Sequence, residues 1–216
     1  MSVPQEAYRR LTKAFGPQRW WPALSTDRRG FQTEVMVGAV LVQNTAWTNV
    51  ERAIANLHAR ALLDVDRLLK LTRDDLEELI RPAGPYRVKA QRLTNLLRLV
   101  SDRFGSVDAM FESPTDELRA SLLSVSGVGP ETADAILLYA GDRPRFVIDA
   151  YTRRVVGRHG WRDDLSYGGL QQWFEAELPA DAAVFNEYHA LMVEVGKRHC
   201  GPKPKCDGCP LRPMLP

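Results

Sequence analysis

The chain has 216 residues, of which 44% are hydrophobic and 26% charged, and it carries a net charge of +2 at pH 7. This composition is typical of a globular protein that buries a sizeable core in one or two domains. No apolar run approaches the roughly 20 residues needed to cross a bilayer, and the N-terminus lacks the apolar stretch of a signal peptide. We therefore expect a cytoplasmic protein without a membrane segment. The small positive charge is compatible with nucleic acid but does not demonstrate it.

Helical periodicity dominates the first hundred residues. A short helix is predicted over 5–15, and a Trp/Pro/Arg-rich connection follows it. The run from Thr33 to Val42 is apolar on nearly every side, which predicts a central, buried helix. Thr72-Arg-Asp-Asp75 has the pattern of a capping box that starts a further helix. A Gly/Pro turn around Gly84 then leads into a helix bearing Leu93 to Val100.

The second half of the chain continues in the same way. Ser113 and Pro114 supply an N-cap and a first-position proline for the helix that precedes the glycine turn. After that turn, helices are predicted over 149–158, 167–178 and 182–197. No segment shows the alternation of a β-strand, and no internal repeat is present. The predicted fold class is all-α.

A glycine turn at Gly127-Val128-Gly129 joins two of these helices. Glycine tolerates positive φ, Pro130 suits the first position of a helix, and Val128 is expected to be buried between the two helices. The outward amides of Gly127, Gly129 and the first helical turn predict an anion site, which the helix dipole strengthens. Two other interpretations are open. One is a dinucleotide-binding glycine loop, disfavoured by Thr132 in place of the third glycine; the other is an ordinary turn between helices.

The hairpin is followed by a Gly/Pro-containing loop at 141–144 and then by Asp149. This order of features resembles that of the helix–hairpin–helix DNA glycosylase superfamily, and of endonuclease III in particular. Gln43-Asn-Thr45 resembles the glutamine loop of that family, and Gly84-Pro-Tyr-Arg-Val-Lys-Ala90 resembles its second DNA-facing loop. Residues 185–192 and the cysteines that follow resemble its iron–sulfur segment. The resemblance covers about residues 31–209 in the correct order.

This resemblance implies two helical domains. A six-helix barrel with the hairpin would occupy 31–140, and a discontinuous domain would combine 1–30 with 141–216. The implied partner is double-stranded DNA that contains a damaged base, lying bent across the cleft between the domains with the target nucleotide rotated out of the duplex. The protein is expected to be a monomer, and its expected localisation is cytoplasmic, of the bacterial or archaeal type and associated with the nucleoid.

Asp149 is the candidate catalytic residue. Cleavage of an N-glycosidic bond builds positive charge on the sugar, and a fixed carboxylate can stabilise that charge and orient a water molecule. The alternative is that Asp149 is simply a helix N-cap, and the two roles are compatible. Glu131 occupies the hairpin position where glycosylase/lyases carry a lysine. Because a carboxylate cannot form a Schiff base, Glu131 predicts hydrolysis without strand cleavage, although it also suits a solvated first helical turn.

The remaining DNA contacts are implied by the resemblance. Gln43 would fill the gap that the extruded base leaves, and Pro85 with Tyr86 would face the opposite strand. Alternatively, Gln43 is a helix C-cap residue and Tyr86 packs in the core. The further candidates for DNA contacts are Asn44, Lys89, Gly127, Gly129, Thr132, Arg92, Arg153 and Arg154, and the charged ones among them would otherwise lie on solvated helix faces.

The base pocket is assigned to two aromatic residues. Trp47 follows the glutamine loop, where its ring could stack on an extruded base, although core packing suits it equally well. Tyr151 matches a tyrosine of bacterial 3-methyladenine DNA glycosylases of the endonuclease III type, which also carry a glutamate like Glu131. This similarity favours alkylated purines as substrates.

The three cysteines lie close together at the C-terminus as Cys200-x5-Cys206-x2-Cys209. Thiolates at this spacing suit an iron–sulfur cluster or zinc. Endonuclease III has a fourth cysteine after five intervening residues, and that position is Leu215 here. We expect a [4Fe–4S] cluster with an incomplete, three-cysteine ligand set. One alternative to the cluster is a zinc ion held by the three cysteines and His199. The other is a segment without a metal, held by packing alone.

The predicted function is therefore base-excision repair by a DNA glycosylase with weak or absent lyase activity. A bifunctional glycosylase/lyase that uses another nucleophile, such as Lys89 or the N-terminal amine, is one alternative. A non-catalytic protein that binds damaged DNA is the other.

Overall fold

The structure is a computed structural model that describes residues 1–216. It contains twelve α-helices and no β-strand, so the all-α prediction is confirmed. The helices are α1 Val3–Phe15, α2 Arg28–Leu41, α3 Trp47–His58, α4 Val65–Leu69, α5 Arg73–Leu79, α6 Tyr86–Arg98, α7 Val107–Glu112, α8 Thr115–Leu123, α9 Pro130–Ala135, α10 Ala150–Arg158, α11 Tyr167–Glu177 and α12 Ala182–Arg198. The ends of α6 and α9 widen into π-helical turns at Leu99–Phe104 and Ile136–Ala140, and single 3₁₀ turns lie at Arg81–Ala83 and Arg212–Met214.

Capping residues explain several helix starts. Asp27 accepts a hydrogen bond from the Gly30 amide at 2.8 Å, so α2 begins at Arg28, ahead of the predicted start at Thr33. In α8, Pro114 is the N-cap rather than the first helical residue, because Ser113 ends α7. The short helices α4 and α7 were not predicted, since five or six residues contain too few positions to show a helical period.

The chain divides into two compact units, each with its own contacts. We call Trp21–Gly141 the hairpin unit, and Met1–Trp20 together with Asp142–Pro216 the terminal unit. The sequence suggested a division at residues 30 and 31, a point that falls inside α2. Residues 21–27 belong with α2 because the buried Glu34 carboxylate accepts the amides of Leu24 and Ser25, both at 2.8 Å.

The core of the hairpin unit is built around α2. Every residue from Gln32 to Leu41 is buried, as expected for a helix that is apolar on nearly every side. Helix α2 packs against α3, α6, α7, α9 and the π turn that follows α9. The loop after α2 is thereby held on a rigid base.

The core of the terminal unit is aromatic. Phe146 stacks on Phe174 with ring centroids 4.3 Å apart, and both rings meet Tyr188 edge-on. The Tyr188 hydroxyl donates to the Pro4 carbonyl at 2.9 Å, which fixes α1 against α12. None of the helices in either unit combines the length and apolar character that a membrane crossing requires.

Candidate active site

The hairpin between α8 and α9 owes its shape to one glycine. Gly127 has φ of +97°, whereas Gly129 is extended with φ of −94°, so only Gly127 uses the left-handed region. A Cβ added to Gly127 would overlap the side chain of Arg92, which passes directly beneath the turn. Val128 is 6% exposed, and Pro130 begins α9 with Gly129 as its N-cap, in agreement with the sequence analysis.

A cleft of about 500 Å³ lies beside this turn. It brings together most of the predicted DNA-facing residues of the hairpin and of the glutamine loop. The residues that line it are Gln43, Asn44, Arg92, Gly127, Val128, Gly129, Glu131 and Thr132. Glu131 is exposed in the first turn of α9, and no lysine lines the cleft.

The Gln43 side chain binds the hairpin. Its amide nitrogen donates to the Gly127 carbonyl and to the Thr132 hydroxyl, both at 3.0 Å. Its amide oxygen accepts a hydrogen bond from Arg92 at 2.5 Å. The glutamine loop and the hairpin are thus joined through a single side chain.

The second predicted DNA-facing loop precedes α6. Pro85 is exposed and Tyr86 is half-buried, so both are accessible to a partner. The guanidinium groups of Arg81 and Arg87 lie 5.6 and 5.8 Å from the centre of the Tyr86 ring. Both cations are also ion-paired, Arg81 with Glu78 at 3.0 Å and Arg87 with Glu77 at 3.7 Å, so they flank the tyrosine ring together with their carboxylate partners.

Lys89 corrects the sequence analysis, which made it a phosphate contact. The residue is 2% exposed, and its ammonium donates to the carbonyls of Leu41 at 2.8 Å and Ala83 at 2.5 Å. Burial, followed by the nearby charge of Arg92, lowers the pKa of Lys89 to about 8. Because the ammonium points inward, Lys89 ties the end of α2 to the 3₁₀ turn at Arg81–Ala83 and does not face a phosphate.

An aromatic cluster lies at the start of α3. Trp47 is half-buried and meets Trp21 edge-on at 4.9 Å, and Trp21 in turn lies 5.3 Å from Tyr139. Gly38 in α2 leaves room for this cluster, since a Cβ there would be 2.5 Å from the Trp21 ring. Trp21 and Tyr139 were not predicted as site residues.

Tyr151, the other predicted pocket residue, belongs to the terminal unit. Its ring covers Gly196 of α12, where an added Cβ would be 2.5 Å from the ring. The Arg154 guanidinium lies 5.2 Å from the ring centre, and Arg154 also donates to the Cys200 carbonyl at 2.9 Å. In the described structure, Tyr151 packs α10 against α12.

Asp149 is the N-cap of α10. One of its carboxylate oxygens accepts the Thr152 amide at 2.7 Å, and the other lies 3.7 Å from His189 Nε2 on α12. Burial alone would raise the pKa of Asp149, but the His189 imidazole and the Thr152 amide outweigh it and lower the pKa. The carboxylate is therefore held rigidly and stays ionised at neutral pH, with 9% of the residue exposed.

Comparison with known proteins identifies the family. The sequence pattern of the HhH-GPD superfamily, described as base excision DNA repair proteins, matches residues 37–179. The chain belongs to the HhH-GPD superfamily. It is 46% identical over 208 residues to a protein of Methanocaldococcus jannaschii that is provisionally named a DNA repair glycosylase, covering 95% of this chain and 92% of that protein. It is also 30% identical to endonuclease III of Thermotoga maritima, over 82% and 79% of the two chains.

Solved HhH-GPD structures share the fold. The 3-methyladenine DNA glycosylase of H. pylori, crystallised with 1,N6-ethenoadenine, superposes with a TM-score of 0.74 at 27% identity and covers 90% of this chain and 94% of its own. A non-covalent endonuclease III–DNA complex superposes with a TM-score of 0.78 at 24% identity, over 100% of this chain and 96% of that one. The chain is thus a base-excision DNA glycosylase of the HhH-GPD superfamily with an endonuclease III-like fold.

The cysteine segment does not provide the ligand set of an endonuclease III cluster. Cys200 is buried, and its sulfur accepts a hydrogen bond from the Arg158 guanidinium at 3.3 Å. The three cysteines, with or without neighbouring His, Asp or Glu, form no group arranged to hold a metal ion. Burial, followed by the neighbouring thiols of Cys206 and Cys200, raises the pKa of Cys209. The structure therefore does not confirm the predicted cluster, and no chemical step is assigned to one.

His189 was not predicted to lie near Asp149. It lies on the largely apolar helix α12, and no local pattern marks it as a partner of Asp149. Arg92 was predicted as a phosphate contact but is bonded to Gln43. The contacts of His189 and Arg92 join distant segments of the chain, and helical periodicity gives no information about such contacts.

Proposed function

We propose that this chain is a monofunctional glycosylase that releases an alkylated base from duplex DNA by hydrolysis and leaves an abasic site. The observation that carries the proposal is Glu131 in a hairpin cleft that no lysine lines. A Schiff base at C1′ of the sugar requires an amine, and Lys89 holds its amine on two buried carbonyls. In the proposed reaction the nucleophile is therefore water.

Asp149 is proposed as the catalytic carboxylate. As the glycosidic bond breaks, positive charge develops on the sugar, and an ionised, fixed carboxylate stabilises that charge. The Thr152 amide fixes the Asp149 side chain, and the neighbouring His189 helps keep it ionised. The water oxygen then bonds to C1′ and gives up one proton to solvent, and the departing base carries the electrons of the broken bond.

The proposed partner is duplex DNA that contains the damaged base. The hairpin turn, with its exposed Gly129 at the start of α9, would hold the DNA backbone. Pro85 and Tyr86 would face the opposite strand, between the cations of Arg81 and Arg87.

An alkylated purine is the proposed substrate class. Alkylation of a purine ring nitrogen commonly leaves the base cationic, and a cation is attracted to the electron-rich faces of tryptophan and tyrosine. The cluster of Trp21, Trp47 and Tyr139 offers such rings in the hairpin unit. Similarity to the H. pylori 3-methyladenine DNA glycosylase supports the same class.

Borohydride reduction tests the hydrolytic mechanism. The unaltered chain should give no covalent adduct with a substrate duplex, because no amine is placed to form an imine. Glu131→Lys should introduce a trappable adduct, and Glu131→Gln serves as the matched control without an amine. An adduct formed by the unaltered chain would instead support a bifunctional glycosylase/lyase.

Base release from a panel of duplexes tests the substrate and the role of Asp149. The duplexes carry alkylated, oxidised, deaminated or abasic lesions and are incubated with and without alkali. Alkylated bases should be released first, and strand breaks should appear only after alkali.

Asp149→Asn should reduce release by roughly a hundredfold or more while binding of an abasic-site duplex persists. Equal release by this variant would remove Asp149 from catalysis, and binding without release by the unaltered chain would favour a non-catalytic damage sensor.

A three-cysteine [4Fe–4S] cluster stays a prediction from the resemblance to endonuclease III. Iron and acid-labile sulfide in protein purified without oxygen would support it. Their absence would favour a segment held by Arg154 and Arg158, which donate to the backbone carbonyls of residues 200–202.

A further inference from the structure

His189 approaches the Asp149 carboxylate within the terminal unit. Its Nε2 lies 3.7 Å from one carboxylate oxygen, while the Thr152 amide donates to the other oxygen at 2.7 Å. His189 and Asp149 are only 8% and 9% exposed, so this contact is largely shielded from water. The distance from Nε2 to the oxygen is about 0.5 Å beyond the usual hydrogen-bond range. A modest adjustment of either side chain would therefore form the bond.

The helices that carry the pair are packed tightly together. The Tyr151 ring on α10 covers Gly196 on α12, where an added Cβ would be 2.5 Å from the ring. Tyr188, the residue before His189, is fully buried, and its hydroxyl is hydrogen-bonded to the start of α1. The backbone at His189 is thus fixed relative to α10, which Asp149 caps.

The N-cap hydrogen bond alone does not fix the orientation of the carboxylate. It engages a single oxygen of Asp149, and the terminal torsion of an aspartate has only a broad preference. A donor at the second oxygen removes that freedom and partners a buried charge. Although burial raises the pKa of Asp149, His189 and the Thr152 amide lower it, which agrees with such a donor.

We propose that His189 is a positioning residue for base release, which donates from Nε2 to Asp149 and holds its carboxylate toward the sugar on which positive charge develops. His189 does not itself contact the DNA in this role. It therefore affects the rate of the chemical step and not the affinity for the duplex. The proposal rests on the proposed function, because it presumes that Asp149 stabilises that charge.

Two variants separate the donor from the space that the imidazole fills. Methionine and glutamine are both unbranched and of similar length, but only glutamine offers an N–H donor. His189→Met should slow single-turnover base release about tenfold or more, because misplacement of a catalytic group by about 1 Å can cost roughly a hundredfold. His189→Gln should restore most of the rate. Both variants should bind a stable abasic-site duplex as tightly as the unaltered chain.

His159→Met is the matched control. His159 belongs to the same unit and is also 8% exposed, and its Nδ1 lies 2.9 Å from the Val155 carbonyl. Its replacement should lower the melting temperature and leave the rate of base release unchanged at a temperature where the variant is folded. A purely structural role of His189 would give the same result as this control.

Nitrogen-15 NMR of histidine-labelled protein tests the contact without relying on the stability of the methionine variant. The chain contains four histidines, and His189→Gln identifies the signals of His189 by their loss. Nε2 of His189 should carry a proton in the unaltered chain, and its signal should shift in Asp149→Asn. An Nε2 without a proton would overturn the proposal, because it could not donate to the carboxylate.

The kinetic outcomes distinguish this proposal from the proposed function. Release by His189→Met at the rate of the unaltered chain, or an equal loss of rate in His189→Met and His189→Gln, would reject the role of His189 alone. Failure of the unaltered chain to release a base from any duplex would reject the proposed function, and the role of His189 with it.

Discussion

At the scale of single residues, Asp149 combines two roles that its position makes compatible. It caps α10 through the Thr152 amide and lies beside His189, and together these neighbours lower its pKa despite burial. A carboxylate that is both ionised and rigid is what the proposed cation stabilisation needs. The same contacts make the charge of Asp149 a source of stability.

Asp149→Asn tests that stability. A lowered carboxyl pKa in the folded state stabilises the fold above the unfolded pKa of about 3.9, and the contribution is lost as pH falls through the folded pKa. At neutral pH, the free energy of unfolding measured in urea should therefore be roughly 1 kcal/mol larger for the unaltered chain than for the variant. The difference should shrink in strong acid. Asp163→Asn, at an exposed position, is the control, and a difference independent of pH would contradict the argument.

Arg153 is the predicted phosphate contact that stays exposed on α10, whereas Arg92 and Arg154 are bonded within their own units. Arg153→Ala should weaken DNA binding to a similar degree for every sequence and reduce the slope of log K against log salt by about 0.9. The slope is measured by titrations at several salt concentrations. Lys70→Ala, outside the predicted DNA-facing loops, should leave it unchanged, and an unchanged slope for Arg153→Ala would exclude the contact.

At the scale of elements, the hairpin is held by charges on its two helices. Arg119 of α8 donates to both oxygens of Asp134 of α9, at 2.7 and 3.0 Å, and Asp134 is fully buried. Helix α6 supports the same region through Lys89 and Arg92, which lie three residues apart. Lys89 donates to the carbonyls of Leu41 and Ala83, and Arg92 donates to the Gln43 side chain. The turn thus rests on helices whose orientation is fixed.

Arg119→Ala should destabilise the protein by about 3–5 kcal/mol, because it leaves the buried Asp134 carboxylate without its cation. Chemical denaturation measures this cost. The matched control is Arg103→Ala, which breaks the exposed pair with Glu117 at 3.3 Å and should cost less than about 1 kcal/mol. Equal effects of the two variants would mean that the buried pair contributes no more than a surface pair.

At the scale of the whole molecule, the hairpin unit is one continuous segment, whereas the terminal unit is assembled from both ends of the chain. A unit with its own hydrophobic core can in principle fold alone. The hairpin unit contains α2 together with α3, α6, α7 and α9, which pack on it. The terminal unit needs α1, whose Ala7 and Leu11 are fully buried.

A chain of residues 21–141 should therefore show a cooperative thermal transition by circular dichroism. A chain of residues 142–216 should not, because it lacks α1 and the Tyr188–Pro4 hydrogen bond. The 21–141 chain should release no base, since Asp149 lies outside it. A gradual, non-cooperative melting curve for residues 21–141 would show that the hairpin unit depends on the rest of the chain.

The sequence by itself determined the features that depend on neighbouring residues. Pro130 after a glycine starts α9, Asp149 caps α10, and Thr72 accepts the Asp75 amide at the start of α5. The order of such signals also carried the resemblance from which family and fold followed. Each of them is local, because the capping residue and the amide it binds lie within one helical turn.

Only the tertiary structure decided what the same side chains do when distant segments meet. Gln43 bonds to a carbonyl 84 residues away, and Lys89 bonds to one 48 residues away. The sequence could not distinguish a lysine on a solvated face from one that bridges the end of a helix and a distant turn. Such a distinction depends on which polar groups are buried together, because a buried polar group must find a partner wherever the fold places one.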